Sequence, residues 1–142
     1  MCSTQATHKV VVVILYDENG NMLLQHRSED TPRLPGYWAF FGGAIDAGET
    51  PCEAVRREAY EELDYVLQEP ECIFEQDVVV NNQDVHMWVF VEYFSGDKNS
   101  LKLQEGQGWG WYTLEDTQPL KMIDHDRVIL EKIFCHIQTT RI

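Results

Sequence analysis

Six consecutive apolar residues, Val10 to Leu15, constrain the fold of this chain more than any other feature of its sequence. The run is far too short to span a bilayer. No basic segment or small-residue cleavage site accompanies it, as a signal peptide would require. Its residues are β-branched or aliphatic, which favours a β-strand. The sequence therefore predicts a buried strand from Lys9 to Tyr16.

Turn and loop signals separate this strand from several others. The segment Asp17 to Gly20 contains Asn-Gly, which tolerates positive φ, so Met22 to His26 is predicted to return as the second strand of a hairpin. A polar loop from Arg27 to Gly36 precedes a short aromatic strand, Tyr37 to Phe41, which ends at Gly42-Gly43. The later predicted strands are Cys72 to Val80, Val85 to Phe94 and Trp109 to Thr113.

Two segments carry helix signals. The first, Thr50 to about Tyr65, opens with a capping box in which Thr50 caps the helix and Glu53 reaches back to it. Asp124 is predicted to cap a final amphipathic helix through Ile137. Mixed strands with two main helices predict an α/β fold, in which a mixed β-sheet is sandwiched between helices as an α/β/α arrangement.

Length and cysteine content limit the organisation of the chain. Its 142 residues suffice for one domain with a hydrophobic core and are too few for two, so we expect a single domain over 1–142. The cysteines, which are Cys2, Cys52, Cys72 and Cys135, form no C-x-x-C pair. This spacing favours a reduced, cytoplasmic setting over a disulfide framework or zinc site. The sequence sets no oligomeric state and leaves a dimer open.

The charge balance restricts the partners. The chain has 24 Asp and Glu against 11 Lys and Arg, for a net charge of −13. A nucleic-acid backbone should repel so acidic a chain, because tight phosphate contacts need Lys and Arg. We therefore expect no nucleic-acid polymer and no membrane as a partner. If the substrate is a phosphate compound, a divalent cation must stand between the two.

The first predicted helix carries three glutamates beside its apolar face. At about 100° per residue, one arc contains the residues expected to pack on the sheet: Cys52, Val55, Ala59, Leu63 and Val66. Glu58, Glu61 and Glu62 lie together at the border of that arc. Their charges repel one another on an open helix, and a cation removes this cost. The cluster therefore suits Mg²⁺, although a solvated helix face paired with surface arginines is the other interpretation.

The residues before the helix add a longer pattern. From Gly43 the chain reads G-A-I-D-A-G-E-T-P-C-E-A-V-R-R-E-A-Y-E-E-L-D-Y, over residues 43–65. This segment resembles the Nudix box, and six residues stand in its register: Gly43, Glu49, Arg57, Glu58, Glu61 and Glu62. Three positions depart from the pattern. Ala59 is smaller than usual, Asp64 replaces a helix-ending glycine, and Tyr65 replaces an aliphatic residue.

The resemblance implies a Nudix hydrolase that uses Mg²⁺, with Mn²⁺ as a substitute. Glu58 and Glu62 would be the principal metal ligands, and Glu61 a further ligand or the base that activates water. Arg57 would orient the glutamates, while Glu49 would close the loop after Gly43 and support the site. Water would attack a phosphorus of a nucleoside triphosphate or nucleoside diphosphate derivative, with the metal neutralising the phosphate oxygens.

Other positions resemble the branch that hydrolyses 8-oxo-dGTP. Glu105 opens an E-G-Q segment, where that branch has a metal ligand or catalytic base, although a solvated loop acid is the other interpretation. Arg27 matches a phosphate-contacting arginine, and Phe40 an aromatic residue that contacts the base, with core packing as the alternative for Phe40. Asp124 or His125 stands near the place of a base-reading asparagine. Ala44 replaces a lysine of that branch, so an oxidised dNTP substrate stays open.

Two alternatives remain at this stage. One is a Nudix hydrolase of an NDP-sugar or another nucleoside diphosphate conjugate. The other, of a different class, is a non-catalytic Nudix-fold module that binds a nucleotide, although such modules typically lose box glutamates that this chain keeps. Phosphate release from a nucleotide panel with Mg²⁺, and then with a chelator, separates these possibilities.

Overall fold

The computed structural model describes residues 8–80, 82–104 and 106–140, which form seven strands in a mixed sheet with two α-helices. In chain order the strands are β1 (His8–Tyr16), β2 (Met22–His26), β3 (Trp38–Ala39), β4 (Phe41–Ala44), β5 (Glu71–Val80), β6 (Gln83–Tyr93) and β7 (Gly108–Tyr112). The helices are α1 (Pro51–Leu63) and α2 (Asp124–Thr140), and short 3-10 turns span Lys98–Ser100 and Glu115–Thr117.

Strand β1 is the centre of the sheet, as the apolar run predicts. It pairs in parallel with β6 along its full length, from His8 to Tyr16. It also pairs antiparallel with β4 through Val10 to Val13, and with β2 at Tyr16. The sheet continues from β6 to β5, and from β2 to both β3 and β7. With partners on both sides, residues 11–15 of β1 are fully enclosed.

The two faces of the sheet carry different helices, because successive strand residues point to opposite sides. Even-numbered residues of β1, such as Val12, pack in one cluster with Ile133 of α2. Odd-numbered residues, such as Val13, pack in a second cluster with Val55 of α1. Each fully buried aliphatic side chain of this kind contributes about 1.5–3 kcal/mol to folding. The predicted α/β/α arrangement is confirmed.

The aromatic strand predicted for residues 37–41 is wrong in its bounds. The chain forms β3 and β4 instead, and it changes its partner strand at Phe40, from β2 to β1. The Gln25 side chain spans the break by donating to the Phe40 carbonyl at 2.9 Å. Gly42 lies inside β4 with φ of 150°, where an added Cβ would stand 2.0 Å from the Val11 carbonyl oxygen. The glycine therefore permits the close pairing of β4 with β1.

Helix α1 begins as predicted and ends earlier. The Glu53 amide donates to Thr50 Oγ1 at 3.1 Å and the Thr50 amide to Glu53 Oε1 at 2.8 Å, which completes the capping box. The helix ends at Leu63, before the predicted Tyr65, because Asp64 takes the left-handed conformation with φ of 54°. Its amide donates to the Tyr60 carbonyl, as a helix terminus requires.

The buried face of α1 also differs from the prediction at its two ends. Cys52 is exposed, and Val66 is 60% exposed because it lies beyond the end of the helix. The buried residues of the helix are Ala54, Val55, Ala59, Glu62 and Leu63. Compared with the prediction, the buried face of α1 is rotated toward the three glutamates, so that it includes Glu62.

Helix α2 starts one residue earlier than predicted, because Asp124 is its first residue and not its cap. The Ile123 carbonyl accepts from the amides of Asp126 and Arg127, so Ile123 precedes the helix and Asp124 is its first residue. The helix continues past the predicted Ile137 to Thr140. Within residues 8–80, 82–104 and 106–140, no helix is long and apolar enough to cross a membrane.

The left-handed Asp64 generates a stability prediction. Glycine adopts this conformation without the steric penalty of a Cβ, so Asp64→Gly should raise the free energy of unfolding by about 0.5–1 kcal/mol. Asp64→Val, which is β-branched, should lower it. Urea denaturation monitored by circular dichroism measures both changes, and a glycine variant less stable than the parent would contradict this account of the helix end.

Candidate functional site

The Arg57 guanidinium is the centre of an ion-pair network beside β4. Its Nε donates to Glu49 Oε2 at 2.7 Å and its Nη2 to Glu49 Oε1 at 3.0 Å, a two-pronged pair. Nη1 donates to Glu58 Oε1 at 3.3 Å and to Glu61 Oε1 at 3.2 Å. Nη2 also donates to the Ala44 carbonyl at 2.9 Å. The hydrogen bonding of Arg57 to Glu49 is the main reason why the pKa of Arg57 is raised, so its guanidinium stays positively charged.

Glu49 closes the loop between β4 and α1. Its amide donates to the Asp46 carbonyl at 3.0 Å, and the Asp46 amide donates back to Glu49 Oε1 at 2.8 Å. The hydrogen bond from Arg57, followed by that amide, lowers the pKa of Glu49. Glu49 is thus an ionised bridge between the loop and the helix, and its support of a metal site stays a prediction.

Glu58 lies directly on the backbone of Gly43. A Cβ added at Gly43 would stand 2.4 Å from Glu58 Oε1 and 2.6 Å from Oε2, so no other residue type leaves the carboxylate in this position. The Glu58 side chain is 13% exposed. Burial raises its pKa, against the opposing effect of Arg57, and the charge of Glu61 raises it further. An ionised Glu58 is therefore costly here, and a nearby cation relieves that cost.

The other two glutamates of the cluster lie at different depths. The Glu61 side chain is 55% exposed and reaches Arg57, whereas Glu62 is buried. Within the part of the chain that the structure describes, no group of three or more His, Cys, Asp or Glu side chains is arranged as a complete metal site. The structure brings the three predicted ligands onto one turn, with the Arg57 guanidinium between Glu58 and Glu61.

Glu105 itself lies outside the described residues, but the chain just before it is docked on α1. The Lys102 amide donates to the Leu63 carbonyl at 3.0 Å, and the Gln104 amide donates to the Glu62 carbonyl at 3.0 Å. These bonds satisfy carbonyls that the end of a helix leaves without partners. They bring Gln104 to the last turn of α1, which sequence spacing alone did not show.

A cavity of about 590 Å³ lies on the α2 side of the sheet, a size typical of small-molecule sites. Strands β1 and β4 form its floor. Its walls come from the loop after β2, the β5–β6 hairpin and the start of α2. Gly43 lines the cavity and also contacts Glu58, so the cavity and the glutamates meet at this one residue.

The cavity contains some of the predicted substrate-binding residues. Arg27 and Phe40 both line it, although Phe40 is only 6% exposed and also packs in the core cluster under α2. The structure does not bring Asp124 to the cavity, whereas its neighbours His125 and Asp126 line it. Asp124 and Asp126 are two positions apart, which corresponds to about 200° around the helix axis. Asp126 therefore faces the sheet while Asp124 points away from it.

Asp126 is a cavity-lining residue that the sequence analysis missed. It is 6% exposed, and burial raises its pKa to about 7. His125 Nε2 lies 3.4 Å from its Oδ1, but burial lowers the pKa of His125, so this ring is largely neutral near pH 7. The signal for Asp126 was its helical spacing from Ile129, Leu130 and Ile133, which places an acid on the apolar face of α2.

Comparison with known families and proteins gives a consistent result. A family model described as the NUDIX domain matches residues 6–133 of the chain. The chain is similar to the nucleoside triphosphatase NudI of Enterobacter sp. (strain 638), with 28% identity over 130 residues that cover 84% of this chain and 92% of that protein. NudI of Escherichia coli O139:H28 (strain E24377A / ETEC) is 28% identical over 118 residues, covering 76% and 84%.

Solved structures share the fold. The MutT protein from Methanosarcina mazei Go1 has a TM-score of 0.79 at 23% identity, covering 96% of this chain and 99% of that one. The NUDIX domain of Shewanella oneidensis NrtR, solved as a complex with ADP ribose, has a TM-score of 0.78 at 18% identity and covers 94% and 90%. At these identities the likeness concerns the arrangement of the elements.

The raised pKa of Asp126 predicts how stability depends on pH. Between the pKa of an unfolded aspartate, near 3.8, and about 7, the folded chain keeps the proton that the unfolded chain has lost. The parent therefore loses stability as pH rises through this interval, whereas Asp126→Asn does not. The gain of the variant should be small at pH 4 and about 4 kcal/mol above pH 7. Urea denaturation from pH 4 to 8.5 measures it, and a pH-independent difference would contradict a protonated Asp126.

Proposed function

Because the chain belongs to the NUDIX family of hydrolases, we propose that it hydrolyses the diphosphate linkage of a nucleoside triphosphate. The family acts on phosphorus-containing acid anhydrides, and the relatives at 28% identity are named nucleoside triphosphatases. One observation carries the proposal: Glu58, oriented by Arg57 and seated on Gly43, adjoins a nucleotide-sized cavity that Gly43 also lines. The position of Gly43 lets the phosphates of a ligand in the cavity reach the glutamates.

The glutamate-bearing turn fits a divalent cation, which this family generally uses. Glu58 and Glu62 would hold Mg²⁺, with Glu61 as a further ligand, since carboxylate oxygens are the ligands that Mg²⁺ prefers. The fit is supported by Glu58, whose half-buried carboxylate has a raised pKa and lies in a cradle that any Cβ at Gly43 would fill. When bound, the cation supplies charge neutralisation for the phosphate oxygens.

In this proposal, carboxylates of the protein position and deprotonate the attacking water. Arg57 keeps Glu58 and Glu61 in place, because it is anchored independently by Glu49. The Glu61 side chain, at 55% exposed, is more accessible than that of Glu58 at 13%, and its carboxylate can accept a proton from water. Glu105, which opens the E-G-Q segment, is the other candidate for this base, and the amide of the preceding Gln104 donates to the Glu62 carbonyl at 3.0 Å.

The cavity would hold the nucleoside. Phe40 offers an apolar contact for a base, and Asp126 accepts a hydrogen bond when ionised and donates one when protonated. An oxidised dNTP such as 8-oxo-dGTP is one substrate of the proposed class, and a nucleoside diphosphate conjugate is another. The net charge of −13 continues to favour small nucleotides over nucleic-acid polymers.

A nucleotide panel with and without metal tests the function, with Glu58→Gln as the decisive variant. Loss of the metal-binding charge should lower kcat by about 10³-fold or more with the fold intact. Glu53→Gln is the matched control on the same helix, because glutamine preserves the capping box and this side chain lies outside the network. Near-parental turnover by Glu58→Gln would contradict hydrolysis at this site. Nucleotide binding with no metal-dependent release of phosphate would favour a binding module.

Glu105→Gln tests which carboxylate is the base. We expect kcat to fall strongly while nucleotide affinity changes little, and the pH profile of kcat to lose the limb that reports the base. Glu61→Gln is measured in parallel. If Glu105→Gln turns over normally and Glu61→Gln does not, the base is Glu61 and the proposed role of Glu105 is wrong.

A further inference from the structure

The loop between β2 and β3, residues 27–37, forms one wall of the cavity and is closed at its base. The Arg27 amide donates to the Tyr37 carbonyl at 2.8 Å, and the Gly36 amide donates to the Ser28 carbonyl at 3.3 Å. The two ends of the loop are therefore held together, while the residues between them project over the cavity. Arg33 and Leu34 are among those that line it.

The Arg27 side chain works inside this loop. Its Nε donates to the Arg33 carbonyl at 2.9 Å, and its Nη2 donates to Thr31 Oγ1 at 3.2 Å. We call this pair of bonds the Arg27 clasp. It uses the planar guanidinium as a two-donor fork, and the single ammonium of a lysine cannot reproduce that geometry.

The clasp holds a strained backbone. Leu34, directly after the carbonyl that Arg27 binds, has φ of 47°, in the left-handed region. A non-glycine residue pays about 1–2 kcal/mol there and stays only when its surroundings fix it. The carbonyl of Leu34 accepts from the Tyr37 amide at 3.2 Å, so the strained residue is fixed on both sides. This conformation sets where the Arg33 side chain leaves the backbone.

Arg33 presents a free positive charge at the cavity. The residue is exposed and lines the cavity, and no acidic side chain in residues 8–80, 82–104 and 106–140 forms an ion pair with it. By contrast, Arg57 and Lys98 are paired with Glu49 and Asp17. In a chain with a net charge of −13, an arginine without a carboxylate partner beside a cavity suits an anionic ligand.

We propose that Arg33 binds the phosphate chain of the nucleotide, and that Arg27 is a positioning residue that acts on Arg33 through the clasp. The substrate class rests on the proposed function. The proposal moves the phosphate contact expected of Arg27 to a residue six positions later, because the donors of Arg27 are directed into the loop.

The two roles respond differently to a change from arginine to lysine. At Arg33 the positive charge matters, so Arg33→Lys should keep most of the affinity for phosphate and Arg33→Gln should lose it. At Arg27 the fork geometry matters, so Arg27→Lys should be nearly as harmful as Arg27→Gln. Thr31→Val removes one acceptor of the clasp and leaves both arginines in place, so any effect it has must come through the loop.

Binding of inorganic tripolyphosphate, measured by calorimetry with EDTA present, tests this directly. Arg33→Gln should weaken the affinity for tripolyphosphate about tenfold or more, and Arg33→Lys about threefold or less. Both Arg27 variants should lose a similar amount of affinity, about five- to tenfold. Thr31→Val should weaken binding about two- to threefold. Lys132→Gln, which removes one charge on α2 away from the cavity, should match the parent and so control for net charge.

Three outcomes would overturn the proposal. The first is parental binding by Arg33→Gln. The second is parental binding by Arg27→Lys where Arg27→Gln binds weakly, and the third is no binding of millimolar tripolyphosphate by the parent chain. Circular dichroism confirms the fold of each variant. Because tripolyphosphate binding is measured without turnover, a chain that fails to hydrolyse nucleotides can still support or contradict this role of Arg33. With an active substrate from the panel, Arg33→Gln should act mainly on KM and Glu58→Gln on kcat.

Discussion

The bidentate ion pair between Arg57 and Glu49 links three elements of the structure. Glu49 closes the loop after β4, Arg57 belongs to α1, and the same guanidinium reaches the Ala44 carbonyl at the end of β4. An exposed ion pair contributes little stability, but a bidentate pair embedded in a network fixes geometry. Strand, loop and helix therefore form one rigid unit, and the position of Glu58 depends on it.

The glycines of β4 set the second condition for the site. At Gly42 and Gly43 the strand can approach the β1 backbone on one side and the Glu58 carboxylate on the other, since neither position has room for a Cβ. Because these glycines have no side chains, only the β4 backbone lies between the cavity on one face and Glu58 on the other. In the proposed function, the nucleotide in the cavity and the cation at α1 would therefore meet beside Gly43.

Charge is distributed so that an acidic chain can accept an anionic ligand. Several carboxylates lie together on α1, where Arg57 offsets part of their negative charge. Arg27 and Arg33 line the cavity instead. Asp126 is the acid buried deepest in that cavity, and its raised pKa keeps it partly protonated near neutrality. The net charge of −13 thus describes the outer surface better than it describes the cavity.

Local signals in the sequence determined the central strand, the capping box of α1 and the glutamate spacing on one turn, because each depends on residues close together in the chain. The family pattern added the roles of Gly43 and Glu49. Only the tertiary structure decided that the apolar face of α2, which carries Asp126, borders a cavity, that Arg27 is directed into its own loop, and that the Gln104 amide docks on the Glu62 carbonyl. Those facts depend on how helix rotation, loop closure and distant segments meet, and no local pattern encodes such contacts.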